Sequence, residues 1–120
     1  MSEGKRPNLA GSNAGMRLVA QCGLLKRGDE ARLQDFMRSG YTEAALQQCA
    51  ADERLAALQA DQARYGPLKP MQVLALEKHH ALVLMQAGVG EAFLLCEVRV
   101  EEDYPHRITA FSQRVMGEEE

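Results

Sequence analysis

KPMQVLALEKHHALVLMQAGVGEAFLLCEVRVEE, residues 69–102, is the stretch on which the fold turns. Leu82 and Leu84 alternate with Val83 and Met85, and Leu94, Cys96, Val98 and Val100 alternate with Phe93, Leu95, Glu97, Arg99 and Glu101. A period of two belongs to extended chain, because successive strand side chains point to opposite faces. The segments KPMQVLALEK, ALVLMQ and EAFLLCEVRVEE, followed by RITAFSQRVM, are rich in Val, Leu, Ile or Phe and predict four strands. The links KHH and AGVG suit tight hairpin turns and DYPHR a slightly longer one, so consecutive strands are expected to pair antiparallel in a meander.

Before Pro67 the period is near 3.6. From Met16 to Lys26, Leu18, Cys22 and Leu25 recur at i, i+4 and i+7, with Met16, Val19 and Ala20 widening the stripe, which predicts a helix with a broad buried face. Gly28 suits the left-handed position after it, and Asp29 caps a short second helix carrying Leu33, Phe36 and Met37. Thr42 caps a third through Leu46 and Cys49, and Asp52 opens a longer one with Leu55, Leu58 and Tyr65 on one side, stopped by Gly66 and Pro67. Helices first and strands afterwards give an α+β reading, with N-terminal helices packed on one face of a curved four-stranded antiparallel sheet.

The 120 residues, 46% hydrophobic and 26% charged, suffice for one core, and a single domain is expected over residues 15–116. Polar, glycine-rich residues 1–14 read as a flexible leader without the apolar run of a secretory signal, and residues 117–120 as an acidic tail. Fourteen Lys and Arg against 17 Asp and Glu leave a net charge of −3, so no broad positive field gathers nucleic acid. No apolar stretch reaches the roughly 18 residues of a membrane span. Cys22, Cys49 and Cys96 are odd in number and widely spaced, as for reduced core residues, and a cytoplasmic setting follows as the default.

Motifs that carry chemistry are sparse. His79 and His80 are neighbours whose side chains diverge on a regular strand, and no Cys or carboxylate stands at zinc-site spacing, so no metal is expected. There is neither a Gly-x-Ser-x-Gly elbow nor a Gly-rich phosphate loop, and GVGEAF has no helix after it, so no cofactor is expected. In DYPHRI, Pro105 fits the turn before a strand, and His106 and Arg107 read as solvated or as partners of Glu101, Glu102 or Asp103. Glu97 and Arg99 read most simply as a surface charge ladder. Both strand faces are apolar while helices cover one, so the second face needs a cover, and a symmetric homodimer is expected.

The runs KRGDEARLQDFM, AADERLAALQADQARYGPLKPMQVL and DYPHRI, in that order, resemble the small nuclear-transport-factor-2-like domain, also called cystatin-like, over about residues 16 to 115. That domain occurs alone or ahead of serine-hydrolase and peptidase domains; with no further domain expected after the last strand, no hydrolase activity is expected to carry over. The resemblance implies a cystatin-like roll whose sheet and helices enclose a pocket. It leads first to a non-enzymatic domain that binds a small apolar ligand or a protein partner as a homodimer. A different class is an isomerase or cyclase of the SnoaL-like kind, with Glu97 as base and Tyr41, Tyr65 or Arg99 as polarising donors. A carboxylate walled by Leu and Phe would be pushed towards base strength. A purely structural dimerisation module is the third. An enclosed cavity with converging polar groups, a purely apolar cavity and a filled core separate the three in turn.

Overall fold

The computed structural model describes residues 9–116. Ser12 holds extended backbone, and its hydroxyl accepts the Gly15 N–H at 3.1 Å, which starts helix α1 (Asn13–Arg27). The same hydroxyl donates to the Glu77 carbonyl at 2.6 Å and so ties the helix start to the far end of the first strand. The helix therefore begins ahead of the expected Met16. Residues 9–14, assigned to a leader, belong to the fold: Leu9–Gly11 makes a 3-10 turn and Ala14 is fully buried. Residues 1–8 of that leader and the acidic tail 117–120 lie outside the described residues.

The buried stripe of α1 also differs from expectation. Ala14, Leu18 and Gln21 form it, Cys22 and Leu25 are half-buried at its margin, and Met16, Val19 and Ala20 are exposed. A helix with neighbours on one side buries an arc of roughly 100°, and the apolar residues of α1 spread wider than that. Gly28, at φ 71°, takes the left-handed position that ends α1, where only glycine is unstrained. Asp29 then caps α2 (Glu30–Ser39) by accepting the Arg32 N–H, and Thr42 caps α3 (Glu43–Gln48) by accepting the Ala45 N–H. Helix α4 (Ala51–Tyr65) is capped at Ala50 rather than at Asp52. Asp52 sits in the first turn, where a carboxylate favours the helix dipole, and Glu53 reaches back to accept the Ala50 N–H at 3.4 Å.

Strands β1 (Lys69–Glu77), β2 (His80–Gln86), β3 (Phe93–Val100) and β4 (Ile108–Val115) form one antiparallel sheet in the order β1-β2-β3-β4. Helices followed by this meander make the chain α+β. Helix α1 packs on β2 and β3, and α3 on β4. Ala81, Val83, Met85, Leu94, Cys96, Val98, Val100 and Ile108 are buried on the helix side and form the core with Leu18, Leu33, Met37, Leu55 and Leu58. Each fully buried Leu or Ile contributes roughly 1.5–3 kcal/mol. On the opposite side Leu82, Leu84, Leu95 and Glu97 are half-buried, while Phe93 and Arg99 are exposed.

The DYPHRI stretch closes the β3–β4 connection. One carboxylate oxygen of Glu101 accepts both the backbone N–H and the Nε–H of Arg107, each at 2.9 Å, and Arg107 O accepts the Glu101 N–H. From α1, the Arg17 guanidinium donates to the carbonyls of His106 and Pro105 at 3.1 and 2.8 Å. The expected partnership of Arg107 with Glu101 is thus present, and the corner is a clamp for backbone. Past it, Ile108 N donates to Gly40 O and Thr42 N to Ile108 O, which draws the α2–α3 link alongside β4 and sets Tyr41, 1% exposed, into the core.

Candidate functional site

On α4 the residues Arg54, Ala57, Leu58 and Asp61 stand at i, i+3, i+4 and i+7 and therefore share one side of the helix. They face Phe111 and Gln113, which share the helix side of β4, across a cleft of about 190 Å³ completed by Tyr41 and Cys49. Ala57, Leu58 and Phe111 make its walls apolar. Polar groups stand at its ends. The Arg54 guanidinium lies 4.7 Å from the Tyr41 ring centroid and donates through Nε to Cys49 O at 2.9 Å and through Nη2 to Ala45 O at 2.6 Å. These bonds satisfy carbonyls at the C-terminus of α3 and hold the guanidinium at the cleft wall. Asp61 accepts the Gln113 side-chain N–H at 2.9 Å, a tie between α4 and β4, and Gln113 Oε1 in turn accepts the Cys96 thiol at 3.3 Å. Leu58, Asp61 and Gln113 also line a neighbouring void of about 10 Å³ with Cys22, Leu25, Gln62, Gly66 and Leu68, room for a single water.

Burial governs the titratable groups here. It pushes the Cys22 thiol up to about 11, and pushes the Cys96 thiol higher, helped by the nearby Cys22 and Asp61. Tyr41 is also driven well above its ordinary value by burial, Arg54 partly opposing, so it remains a phenol whose O–H donates to Gln21 Oε1 at 2.6 Å. All three cysteines are free thiols.

The four residues singled out from the sequence do not converge. Tyr41 lines the cleft, though its hydroxyl is engaged by Gln21. Tyr65 is buried at the end of α4 beneath Arg64, away from the cleft lining. Glu97 and Arg99 lie on the face of β3 opposite Cys96 and Val98, across the sheet from the helices. There Glu97 contacts His80 Nε2 at 2.7 Å and Arg99 at 3.4 Å, as a charge ladder does. Glu97 as base within a helix-sheet pocket is therefore corrected: strand alternation sends it to the other side. Arg54, Asp61 and Gln113 were not anticipated. The signal was present, because two opposite charges at i and i+7 around Leu58 place ionic groups on a core-facing stripe, where they need a reason.

Open grooves among the described residues also lie at His79, His80, Arg99 and Glu102 and at Met16, Arg17, Tyr104 and His106. Among the described residues no group of three or more His, Cys, Asp or Glu could hold a metal ion, and no helix is long and apolar enough to cross a membrane. No protein family, characterised protein or solved structure matches the chain.

Proposed function

We propose that this chain is a non-enzymatic binding domain of the nuclear-transport-factor-2-like kind, a cystatin-like roll that acts in the cytoplasm as a homodimer and holds a small ligand between α4 and β4. The observation that carries the reading is the cleft of about 190 Å³, which has apolar walls and a few fixed polar groups, the composition of a small-molecule site. A binder needs affinity without a reactive group, and here the hydroxyl of Tyr41, the carboxylate of Asp61 and the amide of Gln113 are each hydrogen-bonded to the protein itself.

The sheet face that no described helix covers supports the second copy. Leu82, Leu84 and Leu95 occupy its middle rows, with Glu97 beside Leu82 and Arg114 beside Leu95, while Lys69 lies at one end of the strands and Glu77 and Arg99 at the other. A two-fold axis along the apolar rows lays these leucines over their counterparts in a second copy and brings Lys69 of each sheet toward the partner's Glu77.

A thermal-shift screen of small organic ligands tests the binding reading, because a ligand held by the native state at one hundred times its Kd adds about 2.7 kcal/mol to stability. Compounds that raise Tm in the native chain and not in Ala57→Phe, whose ring fills the cleft, are the expected result. A library without such a compound overturns the reading. Light scattering tests the dimer, and a lone 13.3 kDa species at micromolar concentration removes it.

A further inference from the structure

We infer that the cleft selects a small aromatic carboxylate, with Arg54 as its anion-binding group, an inference that rests on the cleft being a ligand site. A guanidinium carries five N–H donors in a planar fork. Two of Arg54's are committed to Cys49 O and Ala45 O, which leaves three, and among the described residues no carboxylate lies within ion-pair distance of it. The two carbonyl bonds and the Tyr41 ring fix the guanidinium before a ligand arrives, so little side-chain freedom is lost on binding. A half-buried cation held in place with no anion beside it among the described residues matches a planar carboxylate through paired hydrogen bonds.

Size and wall chemistry narrow the rest. An apolar cavity of roughly 150 Å³ in another protein accommodates benzene. The about 190 Å³ here holds one six-membered ring and a carboxylate, with the ring against Ala57, Leu58 and Phe111. Asp61 stands two helical turns from Arg54, about 10 Å along the axis. Its negative charge disfavours a second anionic group on the ligand, and its free lone pairs accept a hydrogen bond from a hydroxyl or amine at the opposite end of the ring. Benzoate and 4-hydroxybenzoate are therefore the natural probes, and benzyl alcohol, which keeps the ring and removes the charge, is the control.

Isothermal titration of the full chain with the three compounds tests this. Benzoate is expected to bind about tenfold or more tightly than benzyl alcohol, the range of a hydrogen bond to a charged group, and 4-hydroxybenzoate more tightly still. Arg54→Gln is expected to remove that preference. Because Arg54 also ties down α3, the decisive variant is Asp61→Asn, which keeps a side chain able to bond Gln113 and is expected to tighten benzoate by about twofold to tenfold as the repulsion across the cleft is lost. A gain of affinity cannot arise from misfolding. Equal binding of benzoate and benzyl alcohol, both abolished by Ala57→Phe, overturns the carboxylate inference and leaves the cleft as an apolar site. Failure of benzoate to bind at millimolar concentration, or binding that survives Ala57→Phe, overturns the inference.

Discussion

Tyr41→Phe deletes one oxygen from a side chain only 1% exposed, and with it the donor to Gln21, itself 1% exposed. The ring stays, so the core contacts and the Arg54 stack on its face are kept. What is lost is the 2.6 Å hydrogen bond, and what remains is a buried amide oxygen without its partner. Leaving such a group unsatisfied costs roughly 1–3 kcal/mol, more than the net gain of about 1 kcal/mol from an average hydrogen bond. Burial keeps the phenol protonated throughout the working pH range, so the donor role does not titrate away. Gln21→Leu makes the reciprocal defect, an orphaned buried phenol, at similar cost. The double variant replaces both partners by apolar groups and loses about 1–2 kcal/mol less than the two single losses added together. Urea unfolding followed by circular dichroism measures all four proteins, and in a domain of this size each kcal/mol moves Tm by roughly 4 °C. Strict additivity of the two single variants, or a Tyr41→Phe as stable as the parent, refutes the reasoning.

Three further outcomes follow from the same geometry. Glu101 is held below the ordinary carboxylate value of 4.5, first by the Arg107 side-chain hydrogen bond and then by the Arg107 backbone N–H, so its contribution is present above that value and is lost as pH falls below it. Acid titration of stability is accordingly expected to be flatter in Glu101→Gln, and an unchanged profile contradicts the clamp. Cys22, pushed to about 11 by burial, and Cys96, pushed further, are expected to resist a thiol reagent at neutral pH until the chain unfolds, leaving Cys49 at the cleft to react first; fast labelling of Cys96 contradicts this. Leu84→Lys, on the sheet face that no described helix covers, is expected to shift light scattering to a single 13.3 kDa species with helix and strand content unchanged, whereas a dimer of parental strength places the interface elsewhere.

The elements were legible because their signals are local. Gly28, Asp29, Thr42 and Gly66 act within a turn of themselves, and the switch to alternation after Pro67 is a property of consecutive residues. The failures at element starts are equally instructive. The Ser12 hydroxyl that caps α1 is also held by Glu77 O, 65 residues away at the end of β1, and Ala50 caps α4 without a side-chain acceptor of its own, aided by Glu53.

By itself the sequence determined that four helices precede four strands, where their stops fall, and that both sheet faces are apolar, since propensity, capping and periodicity operate between near neighbours. Tertiary structure alone decided which arc of α1 is buried, that Glu97 faces away from the helices, and that Arg54 and Asp61 meet Phe111 and Gln113. Those outcomes depend on which side of the sheet the helices cover and how the β4 register aligns with α4. Alternation specifies two faces and is symmetric between them; packing across more than 50 residues breaks the symmetry, as in the Asp61–Gln113 tie at a separation of 52.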